Sequence, residues 1–128
     1  MSIDLAYQQL VNSLQTIYEH REASTMANWV IEKITGLNRI DRLIQKQQPL
    51  SESNQVQLQK ITNELLTYRP IQYVLEEAWF LKHRFFVNEA VLIPRPETEE
   101  LVDWIVTENA QMQGVRILDI GTGSGCIP

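Results

Sequence analysis

The residues best suited to chemistry lie in the run 115–128, VRILDIGTGSGCIP. A short apolar stretch leads to Asp119, and glycines follow at the alternate positions 121, 123 and 125. A buried strand that ends in a glycine-rich loop typically presents a nucleotide-like cofactor at the edge of a parallel sheet, because glycine lets the backbone approach a ligand closely. We therefore expect a strand over 115–120 and a cofactor loop after it. The alternative is a glycine-rich strand-to-helix turn that binds no ligand.

The spacing of the glycines separates this loop from two commoner ones. A dinucleotide loop reads GxGxxG, and a phosphate-binding P-loop needs a Lys after its last Gly, where this chain has Cys126. The GxGxG spacing after an acidic residue resembles motif I of the class I methyltransferases that use S-adenosylmethionine. In such a loop, amides at the start of the following helix can meet the carboxylate of the cofactor.

A second motif narrows the resemblance to one family. Residues 91–99 read VLIPRPETE, with PIQYVL at 70–75 and FFVN at 85–88 upstream. Together with LDIGTGSG these segments resemble, in order, the N-terminal portion of the release-factor glutamine methyltransferases, the HemK/PrmC family. The resemblance implies a small helical domain that a β-hairpin joins to a class I methyltransferase domain.

The resemblance also implies an activity. Enzymes of this family transfer a methyl group from S-adenosylmethionine to the side-chain amide nitrogen of the glutamine in the Gly-Gly-Gln motif of class 1 peptide release factors. An Asn-Pro-Pro-Tyr loop orients that amide, and residues 1–128 contain no such loop. We therefore assign no catalytic residue and expect these residues alone to be inactive. The residues carried over for the cofactor are Asp119, Gly121, Thr122, Gly123, Ser124 and Gly125, and those for the substrate site are Arg95, Glu97 and Thr98.

Two other functions stay open. One is that of a helical module that binds a release factor and catalyses nothing. The other is that of a class I methyltransferase that acts on another protein or on nucleic acid. The acidic balance of the chain, a net charge of −5, makes direct nucleic-acid binding the less attractive choice.

Hydrophobic periodicity predicts the elements that must position these residues. Apolar residues at helical spacing predict helices over 3–18, 22–35, 38–47 and 54–68, a further helix from 97, and a hairpin with strands over 78–88 and 90–93. The fold class is thus mainly α: a helical bundle, a β-hairpin and the first βα elements of a truncated α/β domain. We predict a helical substrate-recognition domain over 1–70, a linker with the hairpin over 71–96, and the start of the methyltransferase domain over 97–128.

Composition indicates the cellular compartment in which we expect the protein. A single cysteine excludes an intramolecular disulfide and suits a reducing cytoplasm. No apolar stretch approaches the roughly 20 residues needed to span a bilayer, and we see no secretory signal. His20 and His83 are isolated, so we predict no metal site. We expect a cytoplasmic monomer whose partner is a release factor.

Overall fold

The computed structural model describes all 128 residues and falls into two compact units, Met1–Leu75 and Glu76–Pro128. The chain is mainly α-helical, as predicted. Its helices are α1 (Ile3–Leu14), α2 (His20–Thr35), α3 (Arg39–Ile44), α4 (Glu52–Leu65), α5 (Ile71–Val74) and α6 (Pro96–Glu108), and its strands are β1 (Ala78–Phe80) and β2 (His83–Phe85). None of these helices is long and apolar enough to cross a membrane.

The first unit is a helical bundle around one apolar core. Helices α1, α2 and α4 pack against one another because each carries apolar residues along one face. Leu10, Leu14 and Val30 lie on these faces and are almost completely buried. The core also contains Ile3, Ala6, Val11, Ala23, Met26, Ala27, Ile31, Ile34, Leu50, Leu58, Ile61, Leu65, Ile71 and Leu75.

Side chains just outside the helices define where several of them begin and end. The Ser2 hydroxyl accepts a hydrogen bond from the amide of Leu5 at the start of α1, and Asn38 caps α3 in the same way. Ser51 caps α4, because its hydroxyl accepts a hydrogen bond from the amide of Asn54. Helix α2 ends at Gly36, whose φ of 71° is the left-handed conformation that glycine adopts most easily.

The predicted helix over 54–68 is too long, and the segment after it also differs from the prediction. Helix α4 ends at Leu65, and Tyr68, the last residue of the predicted helix, is 65% exposed with a φ of 63°. The carbonyl of Pro70 accepts hydrogen bonds from the amides of Tyr73 and Val74, so this residue opens the short helix α5, which was not predicted. Proline suits this position because the first residues of a helix need no N–H partner.

The hairpin of the second unit forms, but not between the predicted strands over 78–88 and 90–93; residues 88–91 do form a turn, in which the amide of Val91 donates to the carbonyl of Asn88, but it joins no strands. Strands β1 and β2 pair antiparallel with Ala78 opposite Phe85 and Phe80 opposite His83. The turn therefore falls at Leu81 and Lys82, whose φ angles of 46° and 69° are both left-handed. A two-residue hairpin turn of the type that matches strand twist needs such angles, and residues other than Gly and Asn rarely signal them in a sequence. Residues 90–93 form no strand.

The predicted strand over 115–120 also does not form in this chain. A strand is stable only with a hydrogen-bonded neighbour, and β1 and β2 pair with each other alone. Ile117, Leu118 and Ile120 are between 72% and 85% exposed. The apolar stripe of α6 is likewise mostly exposed, and residues 126–128 are not helical.

Candidate cofactor and substrate sites

The glycine loop of the second unit takes a conformation that only glycine adopts freely. Gly121, Gly123 and Gly125 have φ angles of 76°, 56° and 75°. The amide of Gly125 donates a 2.8 Å hydrogen bond to the carbonyl of Thr122, which closes the loop into a turn. Because a side chain at φ angles in this range costs roughly 1 kcal/mol or more, the alternate glycines follow from the backbone path itself.

Crowding within the chain does not explain these glycines. A Cβ atom built on Gly121 or Gly125 would meet no atom within 4 Å, and one on Gly123 would meet only the carbonyl oxygen of Gly121 at 4.0 Å. The same backbone path leaves peptide groups of the loop accessible to a ligand, which is the use that glycine-rich loops have at cofactor sites.

Asp119 supplies an acceptor without a donor at the start of this loop. Its Oδ2 atom is buried and has no hydrogen-bond partner in the chain. Buried polar atoms in folded proteins are nearly always paired, so an orphaned carboxylate oxygen calls for a specific explanation. A ligand amine or hydroxyl donating to Oδ2 provides one. The acceptor Oδ2 of Asp119 and the donor amides of the loop thus fit an amine-bearing cofactor such as S-adenosylmethionine.

The other loop residues lie at or near the surface. Thr122 is exposed, whereas Ser124 is half-buried. Cys126 is a half-buried free thiol, and no helix follows it here. A helix was expected after the loop, with its first amides facing the cofactor carboxylate. Residues 126–128 do not form that helix start.

The predicted substrate residues cluster at the start of α6. Arg95 is the exposed N-cap residue, Pro96 is the first helical residue, and the amide of Thr98 donates to the carbonyl of Arg95 at 3.0 Å. Glu97 is exposed and Thr98 half-buried in the first turn. The structure thus groups Arg95, Glu97 and Thr98 on one helical turn, and the Arg95 side chain forms no capping hydrogen bond that would hold it there.

Sequence reasoning missed the role of Glu99 in the same motif. Its Oε1 atom accepts a 3.0 Å hydrogen bond from the amide of Leu81, the first left-handed residue of the hairpin turn. The contact joins the first turn of α6 to the hairpin and fixes the orientation of the candidate substrate residues relative to it. The sequence shows only that Glu99 is an acidic residue in the first turn of a helix. Such residues are common there because they interact favourably with the helix dipole, so the sequence does not predict the contact with Leu81.

The first unit carries an open groove of about 630 Å³ between the start of α2 and the segment before α5. Aromatic rings line it: Tyr18 and Tyr68 meet edge to face at 5.6 Å, and Trp29 is 42% exposed. Burial raises the pKa of the Tyr18 hydroxyl, and the nearby charge of Glu22 and the hydroxyl of Tyr68 raise it further. Exposed aromatic residues in a groove are typical of protein-binding surfaces.

Comparison with known proteins gives a consistent result. The family model for the PrmC N-terminal domain matches residues 6–75. A protein from Flavobacterium psychrophilum named release factor glutamine methyltransferase is 40% identical over 122 residues, which are 93% of this chain and 43% of that protein. A protein of the same name from Bacteroides thetaiotaomicron is 44% identical over 115 residues, 90% of this chain and 41% of its own length.

A third relative of that name, from Streptococcus pneumoniae, is 38% identical over 114 residues, 88% of this chain and 40% of that protein. The chain thus spans about two fifths of the length of the curated relatives it matches. The family match covers more than half of the chain, coincides with the helical unit, and agrees with the motifs at 70–75 and 91–99. The chain belongs to the PrmC family, whose N-terminal domain it carries in residues 6–75.

Proposed function

We propose that this chain is the N-terminal part of a methyltransferase that methylates the side-chain amide nitrogen of the Gly-Gly-Gln glutamine in class 1 release factors. The names of its relatives support the reaction class and the kind of substrate. The single observation that carries the cofactor assignment is the orphaned Oδ2 of Asp119 beside three left-handed glycines.

S-adenosylmethionine, when bound, supplies an electrophilic methyl group. The part of Asp119 would be to accept a hydrogen bond from the ligand, and that of Gly121, Gly123 and Gly125 to let the backbone approach it. At the start of α6, Arg95, Glu97 and Thr98 would contact the protein substrate, and Glu99 would hold that turn against the hairpin. We assign no proton transfer to residues 1–128, because orienting a weakly nucleophilic amide is a matter of position more than of acid–base chemistry.

The loop assignment is tested by Gly123→Val in a polypeptide long enough to contain the complete methyltransferase domain. The substitution forces a branched side chain onto a φ of 56°, so we expect S-adenosylmethionine binding to be lost. Calorimetry measures the binding. Gly114→Val is the matched control, because Gly114 has a φ of 69° but lies outside the loop. Unchanged binding by the Gly123 variant, or equal loss in both, contradicts the assignment.

We also expect residues 1–128 alone to transfer no methyl group and to bind S-adenosylmethionine weakly, because the loop amides are not followed by a helix and the strand before them is unpaired. Calorimetry with this chain tests the expectation, and tight binding contradicts it. A methyl-transfer assay with the longer enzyme completes the comparison. It uses a release factor carrying either Gly-Gly-Gln or Gly-Gly-Ala, and only the first is expected to be methylated.

A second candidate function is recognition without catalysis. The aromatic groove of the first unit favours it, since a surface of this kind can bind a protein independently of any cofactor. A release factor that binds residues 1–128 but is never methylated by the longer polypeptide would favour this function over the first.

A further inference from the structure

A second, smaller recess lies on the first unit and shares no lining residue with the aromatic groove. It has a volume of about 230 Å³ and is lined by residues of α1, α2, α3 and the turn after α3. Its lining residues are Asp4, Tyr7, Gln8, Asn28, Arg39, Arg42, Leu43 and Lys46. None of them belongs to the motifs on which the proposed function rests.

The recess is positively charged within a unit that is neutral. Residues 1–75 carry seven Lys and Arg against seven Asp and Glu, yet the recess has three cations and the single carboxylate of Asp4. Arg39, Arg42 and Lys46 form no ion pair within the chain. This concentration of charge is local, so the neutral sum of the unit conceals it.

Arg42 is held in place by neutral groups. Its guanidinium donates to the side-chain oxygen of Asn28 and lies over the ring of Tyr7, 4.6 Å from the ring centre. Neither partner cancels the positive charge. The arrangement therefore orders a guanidinium in advance of binding, and a guanidinium is the group that matches the two oxygens of a carboxylate best.

An apolar face borders the recess. Helix α3 buries none of its residues, and Ile40, Leu43 and Ile44 are 70%, 61% and 77% exposed. At about 100° per residue, these three side chains occupy one side of the helix, and Arg39 and Arg42 occupy the adjacent side. Cations and exposed apolar side chains thus form one continuous surface around α3.

We propose that this surface binds an acidic segment of the protein substrate, with an Asp or Glu carboxylate in the recess and neighbouring apolar side chains against α3. Charge complementarity selects an anion, and the adjacent apolar face selects a polypeptide over a free inorganic anion. A helix of six residues is short for a membrane-surface anchor. The identity of the partner as a release factor rests on the proposed function, but the ligand chemistry of the recess does not.

The first arm of the test titrates a class 1 release factor into the 128-residue chain. Arg39→Gln/Lys46→Gln should weaken binding about tenfold and reduce its dependence on salt. The control Lys33→Gln/Lys60→Gln changes the net charge equally and should leave the affinity within about twofold of the original. Arg42 is kept, because its contacts with Asn28 and Tyr7 also support the fold. Circular dichroism checks that each variant is folded.

The apolar half of the surface has its own pair of variants. Ile40→Ser/Ile44→Ser should weaken binding severalfold, whereas Val56→Ser, which alters a 73% exposed apolar residue on α4, should not. Release-factor binding that is equally strong in all variants overturns the inference while leaving the proposed function intact.

The second arm tests the acidic-segment inference without a release factor. Failure of the release factor to bind in the first arm would count against the proposed function and not against this inference. A short peptide of alternating Leu and Glu is titrated against the chain, and the backbone amide signals of residues 39–46 are followed by NMR. We expect shifts with this peptide and none with a Leu-Gln peptide. Equal shifts, or none with either, overturn the inference. So does binding to vesicles of phosphatidylcholine and phosphatidylglycerol in the absence of peptide binding.

Discussion

The Tyr18 side chain connects two parts of the helical unit that are distant in the sequence. Its hydroxyl donates a 2.8 Å hydrogen bond to the carbonyl of Leu65, which is 47 positions away in the sequence and at the end of α4. The same carbonyl accepts from the amide of Tyr68 at 3.0 Å, so the Tyr18 hydroxyl is the second donor to this helix-end oxygen. The contact links the connection after α1 to the last turn of α4 and borders the aromatic groove.

The Tyr18 hydroxyl also predicts a pH dependence. Because its pKa in the folded chain is raised above the ordinary value of 10.0, its contribution to stability is complete below that pH. The contribution is lost as the pH rises through the raised value, since the unfolded chain ionises first. Tyr18→Phe should lower the free energy of unfolding by about 1 kcal/mol at neutral pH and remove this alkaline loss. Urea unfolding at pH 7 and above pH 10 measures both effects, and an identical pH dependence in the variant contradicts the prediction.

At the scale of elements, hydrophobic spacing is a good guide wherever the local unit can bury its own apolar face. The periodicity of Leu10, Leu14 and Val30 predicts α1 and α2, and these residues are buried. The same reasoning fails for the stretch 115–120, because a strand depends on neighbours that spacing cannot supply. For the hairpin, the failure is one of turn chemistry, since neither Leu81 nor Lys82 is a residue that signals a left-handed turn.

In the candidate site, too, the sequence predicts the local features but not those that depend on tertiary contacts. Glycines at alternate positions are visible in the sequence, and their left-handed φ angles agree with the conformation that such a loop needs. The unpaired Oδ2 of Asp119 and the contact from Glu99 to Leu81 depend on tertiary placement, so no local pattern predicts them.

The start of α4 offers a test of element boundaries. The hydroxyl of Ser51 accepts from the amide of Asn54, whereas Ser53 lies inside the helix. Ser51→Ala should therefore cost about 1 kcal/mol of stability, because a helix amide loses its acceptor. Ser53→Ala serves as the control and should be neutral or slightly stabilising, since alanine has the higher helix propensity. Thermal unfolding measures both, and a larger loss in the Ser53 variant would contradict the assignment of the cap.

On the scale of the whole molecule, charge and core are distributed unequally. The residues of the first unit sum to zero charge and surround an extended apolar core, whereas residues 76–128 carry the entire net charge of −5. Within the second unit, Ala78, Phe80 and Val87 are buried, but most apolar side chains of α6 and of 115–120 are exposed. Stability is therefore concentrated in the first unit.

A chain shortened to residues 1–75 tests this concentration. It retains every residue of the large core, so we expect it to keep a helical circular dichroism spectrum and to unfold cooperatively. Leu65→Ala in the shortened chain should lower the free energy of unfolding by roughly 2–5 kcal/mol, because Leu65 is fully buried. A shortened chain without a cooperative transition would show that the first unit depends on residues 76–128.

The left-handed turn at Leu81 and Lys82 fixes the register of the hairpin. With the turn fixed there, Phe80 is buried at 2% exposure and Trp79 points outward. Trp79 lies opposite Arg84, whose guanidinium is 5.8 Å from the centre of the Trp79 ring. Successive side chains of a strand alternate between faces, so a slip of one residue would exchange the inner and outer sets. The two left-handed residues thus fix which strand positions face inward: a slip of β1 by one residue would place Trp79 in the interior and Phe80 in water.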